Sequence, residues 1–217
     1  MKILSRHNGN WATGLKKVVD AKPKQRRASV AEVLSGRIEQ GFSAGICQVG
    51  CLGDASFNEV GGRILATRGK YNPLINYSEP AVKAMRTGEF YLTEDVRLGN
   101  KPYTQVLEEI AEEDRKLPIG RRRVVDLGKV KTHYVPTDCF GDDETFSFLA
   151  EGKRGANRYG LFLRDKIPEP NRLTQVQEFH QDLTGKNKSR GLWLCGLMGG
   201  SRSDFSCNDR DLDHDGG

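Results

Sequence analysis

The chain has 217 residues, 36% of them hydrophobic and 29% charged, with a formal net charge of +5. That length holds one domain or a lean pair, and the recurrence of Leu, Ile, Val and Phe along it excludes a long disordered polymer. The longest nearly apolar run, Gly191 to Gly200, is half of the roughly 20 residues a membrane helix needs, which excludes a helical span.

The first element in chain order is electrical. Between Met1 and Arg27, Lys2, Arg6, Lys16, Lys17, Lys22, Lys24, Arg26 and Arg27 face Asp20 alone. At the other end, Asp204, Asp209, Asp211, Asp213 and Asp215 face Arg210. Like charges in blocks repel, favour solvated extended chain and commonly serve as interaction arms. The expected organisation is a basic extended arm over 1–28, an irregular α+β body over 29–200 and an acidic tail over 201–217.

Ser29 followed by Glu32 forms a capping box, and Val30, Val33, Leu34 and Ile38 then share a helical face that Gly41 ends. Ser78-Glu79-Pro80 predicts a second short helix reaching Gly88. Thr104 opens a third, with Val106, Leu107, Ile110 and Ala111 inward and a stop near Leu117-Pro118. Thr174 opens a fourth, with Val176, Phe179 and Leu183 at helical spacing before Gly185. Strand-like pieces fall at Glu89 to Leu92, Arg123 to Leu127, Lys131 to Val135, Tyr159 to Leu163 and Leu192 to Leu197. The 25 Gly and 8 Pro predict long irregular connections, so the fold class is a small α+β body with short helices and strands, Gly-rich loops and terminal arms.

Five cysteines (Cys47, Cys51, Cys139, Cys195 and Cys207) cannot all pair, and no Cys-x-x-Cys occurs. No apolar stretch of signal-peptide length follows Met1. Both features predict an intracellular setting, soluble or bound in an assembly, with free thiols. Cys47, Cys51, Cys139 and Cys195 are the candidate thiol or prosthetic-group sites, although their spacing specifies no cofactor and no metal.

Gly41-Phe42-Ser43-Ala44-Gly45 fits the nucleophile-elbow pattern of serine hydrolases, with Asp126 or Asp138 and then His180 in the required order. An elbow needs a buried strand before the serine and a helix after it. Here the preceding residues suit a helix end and the following ones are broken by Gly, so a Gly-rich turn is expected. Asp211-Leu212-Asp213-His214-Asp215-Gly216 opens like a calcium loop, but the closing glutamate is missing and a solvated acidic stretch is expected. Arg26-Arg27-Ala28-Ser29 has the form of a basophilic kinase target, and a helix cap beside a basic arm explains the same residues.

Basic residues recur at Arg121-Arg122-Arg123, at Lys129 and Lys131 near Tyr134, and at Lys153-Arg154 with Arg158-Tyr159. Cations interleaved with aromatics suit phosphate contact and base stacking. Against this, Glu108, Glu109, Glu112, Glu113 and Asp114 precede the arginine triplet and can neutralise it.

Val60-Gly61-Gly62-Arg63-Ile64 resembles the Gly-Gly-basic-Ile ending of small phycobilisome linker domains over these five residues. The resemblance implies a basic, irregular linker among acidic pigment proteins, and some related rod subunits carry bilins on cysteines.

The leading expectation is a non-enzymatic structural or linker subunit of a larger assembly. It would dock on an acidic protein through Lys16, Lys17, Lys22, Lys24, Arg26, Arg27, Arg121, Arg122 and Arg123. Short amphipathic helices carrying Val33, Leu34 and Ile38 or Val106 and Ile110 would pack into that partner or into the body. The alternatives are a nucleic-acid-binding protein, a phycobilisome-type linker with a cysteine-attached bilin, and a serine hydrolase using Ser43.

Overall fold

The computed structural model describes residues 28–41, 51–76, 90–129, 134–166, 173–175, 185–194 and 205–206. The basic stretch through Arg27, the helix expected at Ser78 and most of the acidic tail lie outside the described residues. What is described is α+β, five helices around a mainly antiparallel sheet.

Helix α1 (Val30–Gln40) begins as its sequence dictates. Ser29 Oγ accepts from Glu32 N at 3.2 Å, Ser29 N donates to Glu32 Oε2 at 2.8 Å, and Gly41 ends the helix at φ 81°. Two orphan amides are thereby satisfied reciprocally. A third, Val30 N, reaches across to Asp54 Oδ1 at 3.2 Å on the first sheet strand.

Strand β1 (Cys51–Val60) turns directly into β2 (Arg63–Arg68) through Gly61 and Gly62, at φ 58° and 76°. A two-residue hairpin loop with both central residues at positive φ follows the right-handed twist of its strands, and glycine adopts it without strain. Val60-Gly61-Gly62-Arg63-Ile64 is therefore a hairpin corner, which accounts for its glycines in terms of backbone geometry.

After a 3-10 turn at Gly69–Tyr71 come the short helix α2 (Pro73–Asn76), then β3 (Phe90–Tyr91), β4 (Arg97–Leu98) and β5 (Lys101–Pro102). Helix α3 (Tyr103–Asp114) buries Leu107 and Ile110, as its spacing predicts. A 3-10 turn at Ile119–Arg121 leads into β6 (Val124–Gly128). Strand β7 (Tyr134–Pro136), a 3-10 turn at Thr137–Cys139, α4 (Glu144–Leu149) and α5 (Lys153–Lys166) follow, then β8 (Leu173–Gln175), β9 (Lys188–Leu194) and β10 (Phe205–Ser206).

The main sheet runs β10-β9-β1-β2-β6, with β3 also on β9. Ser56 pairs with Thr67 of β2 and with Gly191 of β9, so the strand nearest the middle joins the early hairpin to a distant segment. Gly61 N donates to Asn187 Oδ1 at 3.1 Å and Gly185 N to Glu59 Oε1 at 3.1 Å, strapping the start of β9 to the hairpin end.

Period-2 alternation makes two cores. Ala55, Phe57, Ile64, Ala66, Val125 and Leu192 face α1, α4 and α5, where Phe140 and Phe146 stack at 3.8 Å. Val60, Leu65 and Val124 face α3, α2 and the segment around Phe90 to Val96. The second face also buries Ser56, Asn58 and Thr67. Ser56 Oγ lies 2.7 Å from Thr67 Oγ1, and Asn58 Nδ2 donates to Leu65 O at 2.9 Å, so these polar groups are buried with partners.

Three expectations are corrected. Tyr159 to Leu163, read as a strand, lies inside α5. Its glycines lower helix propensity, but they serve close approach: a Cβ on Gly160 would stand 1.9 Å from Thr137 O and one on Gly155 2.4 Å from Ala150 O. Thr174, read as a helix start, pairs with Val135 in a two-stranded ladder of β7 and β8. Phe205–Ser206, within the span assigned to an acidic tail, pairs with Leu194 and Trp193 at the sheet edge. The apolar faces of α1 and α3 are turned into the protein's own two cores, which selects packing into the body.

Candidate partner-binding surface

The arginines divide by what their guanidinium groups touch. Arg68, at the end of β2, donates to Phe148 O at 2.9 Å, Gly120 O at 2.6 Å and Arg122 O at 2.9 Å. Its guanidinium also lies 4.9 Å from the Phe148 ring centroid. One side chain thus ties the sheet to the last turn of α4 and to the Ile119–Arg121 turn, and a cation is favourable near helix-terminal carbonyls. Burial pushes its pKa down, and the charges of Glu151, Asp54 and Asp114 oppose that.

Arg123 grips the end of α3. Its Nη2 lies 2.7 Å from Asp114 Oδ1 and 2.7 Å from Glu113 Oε2, and its backbone N–H donates to Asp114 Oδ2, as does Val124 N at 3.3 Å. The Asp114 side chain is 0% exposed. Burial alone would raise its pKa, but the Arg123 guanidinium and these backbone amides outweigh that and hold it below the usual carboxylate value. Arg122 bonds Glu144 Oε1 and Leu117 O, and Arg63 bridges Glu108 and Asp126. The acidic run before the triplet neutralises part of it, as its sequence predicts. Arg122 and Arg123, expected to contact a partner, hold the body together.

Arg121, Arg154 and Arg158 differ. All three are exposed, and no carboxylate or carbonyl of the described residues lies in bonding reach of their side chains. Arg154 and Arg158 stand four apart on α5, where like charges share a helix face and repel. Arg154 lies in the first turn of α5, which contains no acidic residue to offset it, so the helix dipole disfavours its charge there. Arg121 is carried to the same end of the helix by backbone packing, because a Cβ on Gly120 would fall 2.3 Å from Glu151 O.

The approach to α5 is unusual in its own right. Glu151 adopts φ 57°, the one described non-glycine residue at positive φ. Gly152 N donates to Ser147 O at 2.7 Å and Glu151 N to Phe148 O at 3.2 Å, the paired bonds of a Schellman ending to α4. Glycine ordinarily takes the left-handed position that Glu151 occupies here.

Lys16, Lys17, Lys22, Lys24, Arg26, Arg27, Cys47 and Cys195 lie outside the described residues, as do Ser43 and His180, and Cys51 is described only as backbone of β1. The residues before Ser43 are the end of α1, a helix where an elbow requires a strand. Asp126 is engaged by Arg63. Cys139 is exposed, and desolvation together with the carboxylates of Asp138 and Asp142 pushes its thiol pKa up. That keeps it protonated, away from the thiolate that attacks or ligates. Tyr159, which sequence placed beside Arg158 as a stacking partner, is buried and accepts a 2.9 Å hydrogen bond from Arg37. Among the described residues no three His, Cys, Asp or Glu are grouped to hold a metal ion, and no helix is long and apolar enough to cross a membrane.

No protein-family model matches the chain, and no curated protein matches it in sequence. One solved structure, described as the accommodation of massive sequence variation in Nanoarchaeota by the C-type lectin fold, superposes over 93% of this chain and 88% of its own. The TM-score is 0.63 and the identity 11%. The likeness is one of fold: a twisted antiparallel sheet with helices on it, similar to a C-type lectin domain.

Proposed function

We propose that the chain is a non-enzymatic binding subunit of a larger assembly, in which a C-type-lectin-like frame holds out a basic arm to an acidic protein partner. The observation that carries this reading is the anchorage of the arm's root. The eight basic residues before Ala28 join the body at a helix start secured by the Ser29–Glu32 box and by Val30 N on Asp54 Oδ1. The sequence's densest positive charge is therefore followed directly by a helix start fixed to the body, which suits electrostatic docking on a negative surface. The Nanoarchaeota structure, in which a C-type lectin fold accommodates massive sequence variation, supports reading such a frame as a carrier of interchangeable surface chemistry.

The test uses the full chain with Lys16→Gln, Lys17→Gln, Lys22→Gln, Lys24→Gln, Arg26→Gln and Arg27→Gln combined. Retention on immobilised poly-glutamate and on duplex DNA is measured across a salt series. The proposal expects salt-sensitive retention on poly-glutamate that the combined variant loses while its circular dichroism is unchanged. Equal retention of variant and parent would overturn it. Retention on DNA alone, with a steep linear fall of log affinity against log salt, would replace it with nucleic-acid binding.

A further inference from the structure

We infer that α5 carries a second docking face, separate from the arm, for an acidic helix of a protein partner that brings a leucine-sized apolar side chain. Arg154, Arg158 and Leu161 fall at i, i+4 and i+7, one stripe of a helix. Leu161 is the most exposed large hydrophobic residue described, at 45%. The stripe ends at Asp165, which Arg164 pairs at 3.3 Å. Beside its basic end, Lys153 lies 3.6 Å from Asp142, and Arg121 is brought in by the Gly120–Glu151 contact.

Charge complementarity selects the occupant. Every other described arginine has an acceptor or charge partner within the protein; of the three that have none among the described residues, Arg154 and Arg158 share the α5 stripe, and Arg121 follows the Gly120 backbone packed just before that helix. Their repulsion within α5 is relieved when carboxylates settle opposite them. A polyphosphate would answer the arginines, but Leu161 offers a phosphate nothing, and the neighbouring aromatic ring of Tyr159 is buried in the core and cannot stack on a base. An acidic helix with one apolar residue a turn beyond its carboxylates answers both halves of the stripe, as helix-on-helix recognition ordinarily does.

The probe is a fluorescent synthetic helix with glutamates spaced four apart and a leucine on the same face, titrated into the full-length protein. Arg154→Glu with Arg158→Glu is expected to lose about tenfold or more in affinity. Leu161→Ser is expected to lose about fivefold for this helix and nothing for poly-glutamate, which has no leucine to bury. The arm-neutralised protein should keep its affinity for the helix, so this face and the arm succeed or fail independently. Unchanged binding by the double arginine variant, or by Leu161→Ser, overturns the inference. So does duplex DNA binding this face more tightly than the helix. Thermal unfolding of each variant is measured alongside, and Arg154→Gln with Arg158→Gln repeats the test without introducing like charges.

Discussion

Arg121 and Arg123 are two residues apart and meet opposite surroundings. Arg123 closes on Asp114 and Glu113 at 2.7 Å each, whereas Arg121 stands exposed on a turn with no acceptor in bonding reach of its side chain among the described residues. The same division separates Arg68, spent on three carbonyls beneath α4, from Arg154 and Arg158 on the outer side of α5. Position relative to the sheet decides the role. Arginines whose backbone enters or leaves a strand are drawn over carbonyls and carboxylates of the body, and those on an exposed turn or an outer helix face have no such group in reach among the described residues.

The largest effect should come from breaking the inner set. Arg123→Ala leaves Asp114 as a buried carboxylate held only by backbone amides, and a loss of about 3 kcal/mol is expected in urea denaturation. Two carboxylates add a pH signature of opposite sign. Asp114 is held below its ordinary pKa, so its contribution to stability is present above the unfolded value and is lost as pH falls through the folded one. Asp54 is pushed up, first by burial, despite the amide of Val30 and the charge of Arg68. Its ionised form weakens the fold near neutrality, a penalty that lessens as pH falls through its raised pKa. Asp114→Asn should flatten the acid limb of a stability profile and Asp54→Asn should steepen it.

Next in size is Gly160→Ala, whose added methyl meets Thr137 O at 1.9 Å and should cost about 2 kcal/mol as α5 is pushed off its neighbour. Glu151→Gly should go the other way, gaining about 1 kcal/mol by relieving a left-handed glutamate. The smallest effect belongs to the outer set: Arg158→Ala should move stability by less than about 0.5 kcal/mol. A large loss there would erase the distinction between the two groups.

Local chemistry made part of this legible. The capping box at Ser29 and the spacing of Leu107 and Ile110 specify α1 and α3 from neighbours within a few residues, and the chain obeys them. The β1–β2 hairpin was harder to see. Asp54, Ser56, Asn58 and Glu59 break the apolar run that a doubly buried strand should have. Ser56 and Asn58 find partners across the hairpin on β2 and Asp54 finds one at the start of α1, while Glu59 accepts from Gly185 N on one oxygen and leaves Oε2 without a partner among the described residues. Helix α5 is obscured for a related reason, since Gly155 and Gly160 reflect contact with Ala150 and Thr137 rather than local preference. In the candidate site, three consecutive arginines are identical as letters. Only the three-dimensional placement of Asp114, Glu113 and Glu144 separates Arg122 and Arg123 from Arg121.

The strapping of the early hairpin to β9 also sets an order of events during synthesis. Gly61 and Asn187, joined by a hydrogen bond, are 126 residues apart, so the hairpin is made long before the strand that completes its sheet emerges. Until that strand arrives, β1 has one unpaired edge, and contacts of such sequence separation form slowly. A nascent chain halted before Lys188 would present that edge to whatever strand it met, so β1 is where mispairing would begin.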